Sequence, residues 1–159
     1  MGKQGIFVIL LFIVFQAKGQ EVEVIKFTDL DRLIHEKSNE VRVFNFWATW
    51  CRPCIAELPY FEAMNKEYSD DVKVYLISLD FVEDLNTKVI SFVERRKLQS
   101  IIKLLDETDY NSFIDKVSEE WSGAIPATLF VDNNNGRQKF HEGEFTRDQL
   151  NKTINQFVN

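Results

Sequence analysis

Cys51 and Cys54 are the only two cysteines of the chain, and they stand three positions apart in Trp50-Cys51-Arg52-Pro53-Cys54. A thiolate at one position can attack a substrate disulfide and form a mixed disulfide, and a second thiol within reach then displaces the reduced product. The pair therefore reads as a dithiol redox site in which Cys51 attacks and Cys54 resolves. At a helix start, unpaired backbone N–H groups and the positive end of the helix dipole favour a thiolate over a thiol, so an acidic, exposed Cys51 is expected. Arg52 adds a fixed positive charge beside it, weakened by salt. Pro53 suits a first helical turn, where its missing N–H has no intrahelical partner, and it stiffens the small ring that a disulfide would close.

Other chemistry fits these residues less well. A zinc site lacks its second cysteine pair, and the only two histidines, His35 and His141, have no ligand spacing to each other or to the cysteines. A purely structural disulfide across so short a loop would add little stability. No separate peroxidatic cysteine exists. The expectation is no metal site, and no cofactor beyond the Cys51–Cys54 disulfide itself.

The pair must be held where a strand hands over to a helix. Upstream, Val41 to Ala48 is rich in β-branched and aromatic residues, and from Cys51 to about Tyr68 the apolar positions Leu58, Phe61, Met64 and Tyr68 follow helical spacing. Around this unit, strands are expected at Val22 to Phe27, Val72 to Leu79, Ile101 to Leu105, Ala127 to Val131 and Gln138 to Glu142. Helices are expected from a Thr28 cap to about Lys37, at Asp84 to Lys97, at Asn111 to Trp121, and after a Thr146 cap, where Leu150, Ile154 and Phe157 share one face. Asn133-Asn134-Asn135-Gly136 signals a hairpin. The near-continuously apolar Val72–Leu79 run suits a strand buried on both faces, and the alternation of elements gives an α/β class, a central sheet flanked by helices.

With these residues in view, the chain resembles the thioredoxin superfamily, and within it the exported TlpA/ResA/CcmG-like thiol-disulfide oxidoreductases. Val43-Phe44-Asn45-Phe46-Trp47-Ala48-Thr49-Trp50-Cys51-Arg52-Pro53-Cys54, Glu57-Leu58-Pro59 and Gly123-Ala124-Ile125-Pro126-Ala127-Thr128-Leu129-Phe130-Val131-Asp132 carry the resemblance in order and separation. It implies a thioredoxin-like fold with a mixed sheet, and an extra strand and helix within the long segment from Phe81 to Asp109. It also implies a cis Ile125–Pro126 bond packed beside the disulfide, leaving the backbone of Ile125 free to pair with an extended substrate. Trp50, Arg52, Pro53, Ile125 and Pro126 then form the substrate surface, while Trp47 packs in the core.

Asn45 departs from cytoplasmic thioredoxins, which carry a buried Asp there as proton acceptor; an amide cannot do that work. Glu57, three residues after Cys54, can share its helical face and matches the acid of the ResA-like pattern. The alternative is a solvated first-turn Glu that complements the helix dipole. Pro59 should kink the helix by removing a backbone hydrogen bond. His141 is expected at the surface or the core edge.

Function follows the same resemblance: an exported enzyme, a reductase of selected protein disulfides such as those of apocytochrome c, fed by a membrane thiol electron donor. A general disulfide oxidase or isomerase is the runner-up. A copper-binding assembly module is the rival from another class, although such modules use a Cys-x-x-x-Cys spacing.

Lys3, the apolar run Ile6 to Phe15 and the small residues of Ala17-Lys18-Gly19 resemble a cleaved secretory signal at 1–19, ahead of one domain at 20–159. At about 1.5 Å per residue the apolar run falls short of a hydrocarbon core about 30 Å thick, so a retained anchor is not expected. Export would place the dithiol in an oxidising, periplasmic-type setting. The net charge of −6 argues against a nucleic-acid partner and for solubility, and a monomer is expected.

Overall fold

The computed structural model describes residues 20–158, and the expected leader at 1–19 lies outside them. The architecture is built on β2 (Val41–Trp47), every residue of which is buried. Side chains alternate across a strand. Val43 and Trp47 therefore join one apolar core, with Leu58, Phe61 and Met64, and Phe44 and Phe46 join the other, with Leu30, Ile34 and Trp121.

Around β2 the chain adds β1 (Val22–Ile25), α1 (Phe27–His35), α2 (Arg52–Glu67) and β3 (Val72–Ser78), then α3 (Ile90–Arg96) and β4 (Ile101–Leu105). It continues through α4 (Ile114–Val117), β5 (Ala127–Asp132), β6 (Arg137–Glu142) and α5 (Arg147–Val158). The six strands run in the order β1-β4-β3-β2-β5-β6. The first four are mutually parallel, and β5 and β6 are antiparallel to their neighbours. This is the expected mixed sheet, and β4 is set between β1 and β3, so the long middle segment widens the sheet from within.

The element boundaries show three corrections. α1 begins at Phe27 without a Thr28 cap: the Phe27 N–H is taken by the Glu107 carboxylate at 2.8 Å, an acid 80 residues away. The expected helix from Asp84 to Lys97 is composite, a 3₁₀ turn at Val82–Asp84 and a π turn at Leu85–Val89 leading into α3, which stops at Lys97 in the left-handed region (φ 54°). The expected helix from Asn111 to Trp121 is only a 3₁₀ turn at Tyr110–Ser112 and the short α4. Ser118 ends it, because its backbone is extended and its hydroxyl captures the Glu120 N–H at 3.2 Å, a local bond that competes with helix continuation. Elsewhere the expected strands and the hairpin form, and Thr146 caps α5 through its hydroxyl, which accepts the Gln149 N–H at 3.3 Å.

Candidate active site

Cys51 is the N-cap of α2. Its backbone is extended, and its sulfur accepts the Cys54 N–H at 3.3 Å. The side chains of Cys51 and Cys54 are joined in a disulfide, with Cα atoms 5.3 Å apart. The expected exposed Cys51 is corrected: it is only 5% exposed, yet Cys54 is fully covered at 0%, so any approach to the pair comes from the Cys51 side. Arg52 and Pro53 fill the first helical turn on the surface, and α2 continues through Pro59.

The resemblance-derived cis bond is present at Ile125–Pro126. Ile125 O lies 3.8 Å from the Cys51 sulfur, and Pro126 O accepts the Gly143 N–H at 2.8 Å. Ile125 is half-buried and Pro126 buried, while Trp50 stands 64% exposed beside Cys51. Trp47 is fully buried, its ring 5.3 Å from that of Phe92. The structure thus brings together Trp50, Cys51, Arg52, Pro53, Cys54, Ile125 and Pro126 at the C-terminal end of β2.

Glu57 lies one turn beyond Cys54 and is fully buried, so the solvated-surface alternative does not hold. Its carboxylate accepts from Asn45 Nδ2 at 2.7 Å and from the Phe145 N–H at 2.6 Å, and it makes no hydrogen bond to either cysteine. Asn45 Nδ2 also meets Thr128 Oγ1 at 3.1 Å. Burial is the dominant influence on Glu57 and pushes it up to about 7; the two hydrogen bonds oppose this, and the nearby Glu144 charge adds to it. Asn45 Oδ1 is buried without a partner in this amide orientation. A neutral Glu57 can donate its proton to that oxygen once the amide rotates, because the two amide orientations are alternative assignments of one hydrogen-bond network. Asn45, the residue that departs from the thioredoxin pattern, is thus in direct contact with Glu57.

Several participants were not foreseen from sequence. Asp80, 3% exposed, accepts from the Thr49 N–H at 2.9 Å, from Thr49 Oγ1 at 2.5 Å and from Ser78 Oγ at 2.8 Å, which fixes the loop leading to Cys51. An acid shortly after a near-continuously apolar strand was the available signal. Phe145 acts through its backbone, which no sequence pattern marks. His141 sits at the core edge, its ring centroid 4.1 Å from that of Phe145, and burial, then Lys139, lowers its pKa below the usual histidine value.

Comparisons with known proteins agree with this geometry. The sequence matches the AhpC/TSA family over residues 11–136. It is 30% identical over 112 residues to the thioredoxin-like protein YneN of Bacillus subtilis, covering 70% of this chain and 62% of that one. It is 31% identical over 114 residues to the thiol-disulfide oxidoreductase ResA of Oceanobacillus iheyensis, covering 71% of this chain and 55% of that one. The chain therefore spans somewhat over half the length of these relatives. Among solved structures, StoA from Bacillus subtilis superposes with a TM-score of 0.53 at 26% identity over 75% of this chain and 84% of that one. A thioredoxin-related protein from Neisseria meningitidis reaches 0.63 at 22% identity, covering 75% of this chain and 85% of that one. The sheet order and the solved neighbours give the thioredoxin-like fold, and the match over residues 11–136 places this chain in the AhpC/TSA family.

Proposed function

We propose that the protein is an exported thiol-disulfide oxidoreductase that reduces disulfides of selected protein substrates. The single observation that carries the reading is the capped, nearly covered Cys51–Cys54 pair facing the Ile125 carbonyl. In the dithiol form the Cys51 thiolate attacks one sulfur of a substrate disulfide, an S–S bond forms to Cys51, and the substrate's other sulfur leaves as a thiolate and takes a proton. Cys54 then loses its proton and attacks the Cys51 sulfur, the mixed disulfide breaks, and the second substrate thiolate leaves. The substrate gains two electrons and two protons, and the Cys51–Cys54 disulfide is regenerated. Glu57, one turn along α2 and with a pKa of about 7, is part ionised at neutral pH, and its carboxylate form is the acceptor for the Cys54 proton. Trp50, Arg52, Pro53 and Ile125 form the surface on which the substrate strand lies, and Pro126 fixes its backbone partner.

A membrane thiol donor would return the pair to the dithiol state, and apocytochrome c is among the disulfide substrates that the reading implies. The leader-like N-terminus supports export. Among the described residues no helix is long and apolar enough to cross a membrane, and no cluster of potential ligands could hold a metal ion. The redox potential tests the direction: equilibration of the pair with glutathione or dithiothreitol should give a value near that of thioredoxin, about −270 mV. A value near −120 mV, that of a strong oxidant, overturns the reductase reading in favour of the oxidase.

A further inference from the structure

The surface between α2 and α3 opens into two hollows that share Phe92 as a wall. One, of about 260 Å³, is lined by Ile55, Pro59, Phe92, Arg96 and Lys97 among others. The second is lined by Thr49, Thr87, Lys88, Phe92 and Arg95, and so reaches the loop that leads to Cys51. Arg52, Ile55, Pro59 and Glu62 follow one another at helical three- and four-residue steps, so Arg52 heads the α2 face whose later members line the first hollow. The hollows therefore lie along α2 with α3 as their far bank, and their members Thr49 and Ile55 flank the redox pair in the chain.

Their charge is opposite to that of the chain. The protein carries −6 overall, yet the two hollows collect Lys88, Arg95, Arg96 and Lys97, and the exposed Arg52 stands on the same α2 face as Ile55 and Pro59. Lys88 is paired with Asp84 at 2.8 Å. Among the described residues Arg52, Arg95, Arg96 and Lys97 make no ion pair, and the Arg96 guanidinium lies over the Phe92 ring at 5.5 Å. The acid in the first hollow, Glu62, is already engaged by the N–H groups of Gln99 at 2.7 Å and Ser100 at 3.1 Å, and Glu94 is the only acid on α3 itself. Lys97 occupies the left-handed helix stop, a conformation that glycine adopts without strain, so a cation stands where backbone geometry alone would favour no side chain.

We propose that the groove these hollows form docks an acidic segment of the substrate protein alongside its disulfide. The proposal rests on the oxidoreductase reading above and names the substrate class for that same site. Apolar contact with Ile55 and Phe92 and attraction to the unpaired cations act together, and the positive patch steers an acidic partner toward Cys51. From Arg52 to Pro59 the helix spans about 10 Å, a length covered by about three extended residues. Acids about three to four positions from the substrate cysteine therefore meet Arg96 and Lys97.

The test uses two peptides of one sequence, with either Glu or Ser at those positions, each made in a cysteine-free and a disulfide-bonded version. Binding of the cysteine-free peptides to the oxidised protein is followed by amide shifts in NMR. The Glu peptide should bind about tenfold more tightly than the Ser peptide at low salt, move the amides of residues 88–97, and lose its advantage at about 0.5 M salt. The variant R95E/R96E/K97E, shown folded by circular dichroism, should bring the Glu-to-Ser ratio to one or below. R95Q/R96Q/K97Q should fall between. Equal binding of the two peptides to the wild type, a ratio unchanged in the variants, or movement of these amides only with vesicles of anionic phospholipid overturns the proposal. The disulfide-bonded peptides report separately on the oxidoreductase reading. If neither is reduced by the dithiol protein, that reading fails whatever the binding data show.

Discussion

Replacing Glu57 with glutamine gives the sharpest test of how the site stores its acid. Glu57 is fully buried, and its pKa stands at about 7 against an ordinary 4.5, chiefly because burial disfavours the charge. Below pH 4.5 the carboxyl is neutral in both folded and unfolded chains and costs nothing. As the pH rises from 4.5 through about 7 the unfolded chain ionises first, so the folded state loses stability across that window and levels off above it. The size of the loss is about 3 kcal/mol, since each pKa unit corresponds to about 1.4 kcal/mol. His141 works in the opposite sense: burial lowers its pKa, so its contribution to stability is lost as the pH falls below the usual histidine value. That contribution is common to wild type and variant and cancels in their difference. Urea unfolding of the oxidised proteins, in which the cysteines carry no titratable proton, should be measured at steps from pH 4 to 8.5. Glu57→Gln should gain on the wild type by about 3 kcal/mol over that range, a relative midpoint shift of roughly 1.5 M urea for a slope near 2 kcal/mol per M. Curves that stay parallel within about 0.5 kcal/mol would show that the hydrogen bonds from Asn45 and Phe145 fully offset burial, and the proton-acceptor role would lose its basis.

The same variant should slow dithiol–disulfide exchange and alter its pH dependence; a rate and pH profile that overlay the wild type would confine Glu57 to a structural part. In the reduced protein at pH 7, iodoacetamide should label Cys51 well before Cys54, read by peptide mass spectrometry, because Cys54 is fully covered and Cys51 caps the helix; labelling of Cys54 first would reverse the roles. Asp80→Ala leaves the Thr49 N–H and two hydroxyls without their buried acceptor and should cost about 2–4 kcal/mol in urea unfolding. A loss under 1 kcal/mol would mean that water replaces the carboxylate.

The redox pair, its helix and its central strand were legible because each rests on local chemistry: two cysteines at one spacing, a proline in the first turn, an apolar β-like run before them. What sequence could not supply came from contacts made across the chain. Glu57 is adjacent to Cys54 in the helix, but its burial depends on Asn45 below it and on a backbone N–H from Phe145. The start of α1 differs from expectation for the same reason, since the Phe27 N–H is taken by Glu107, two residues beyond β4. The shortened Asn111–Trp121 helix failed differently. Apolar spacing was helical there, and a single serine side chain diverted the backbone.

The hydrogen bonds that complete the site also set an order of events. Asn45 finds Thr128 across 83 residues and Glu57 finds Phe145 across 88. A chain emerging from the N-terminus presents both cysteines while β2 still has an open edge where β5 will pair. Until Ala127 onward arrives, the dithiol is sequence without a cradle, free to exchange with whatever disulfide it meets. Long-range closure of this kind slows folding. The C-terminal hairpin and the loop after it therefore act as the latch of the molecule, and a fragment ending before them carries the cysteines without the contacts that Thr128 and Phe145 supply.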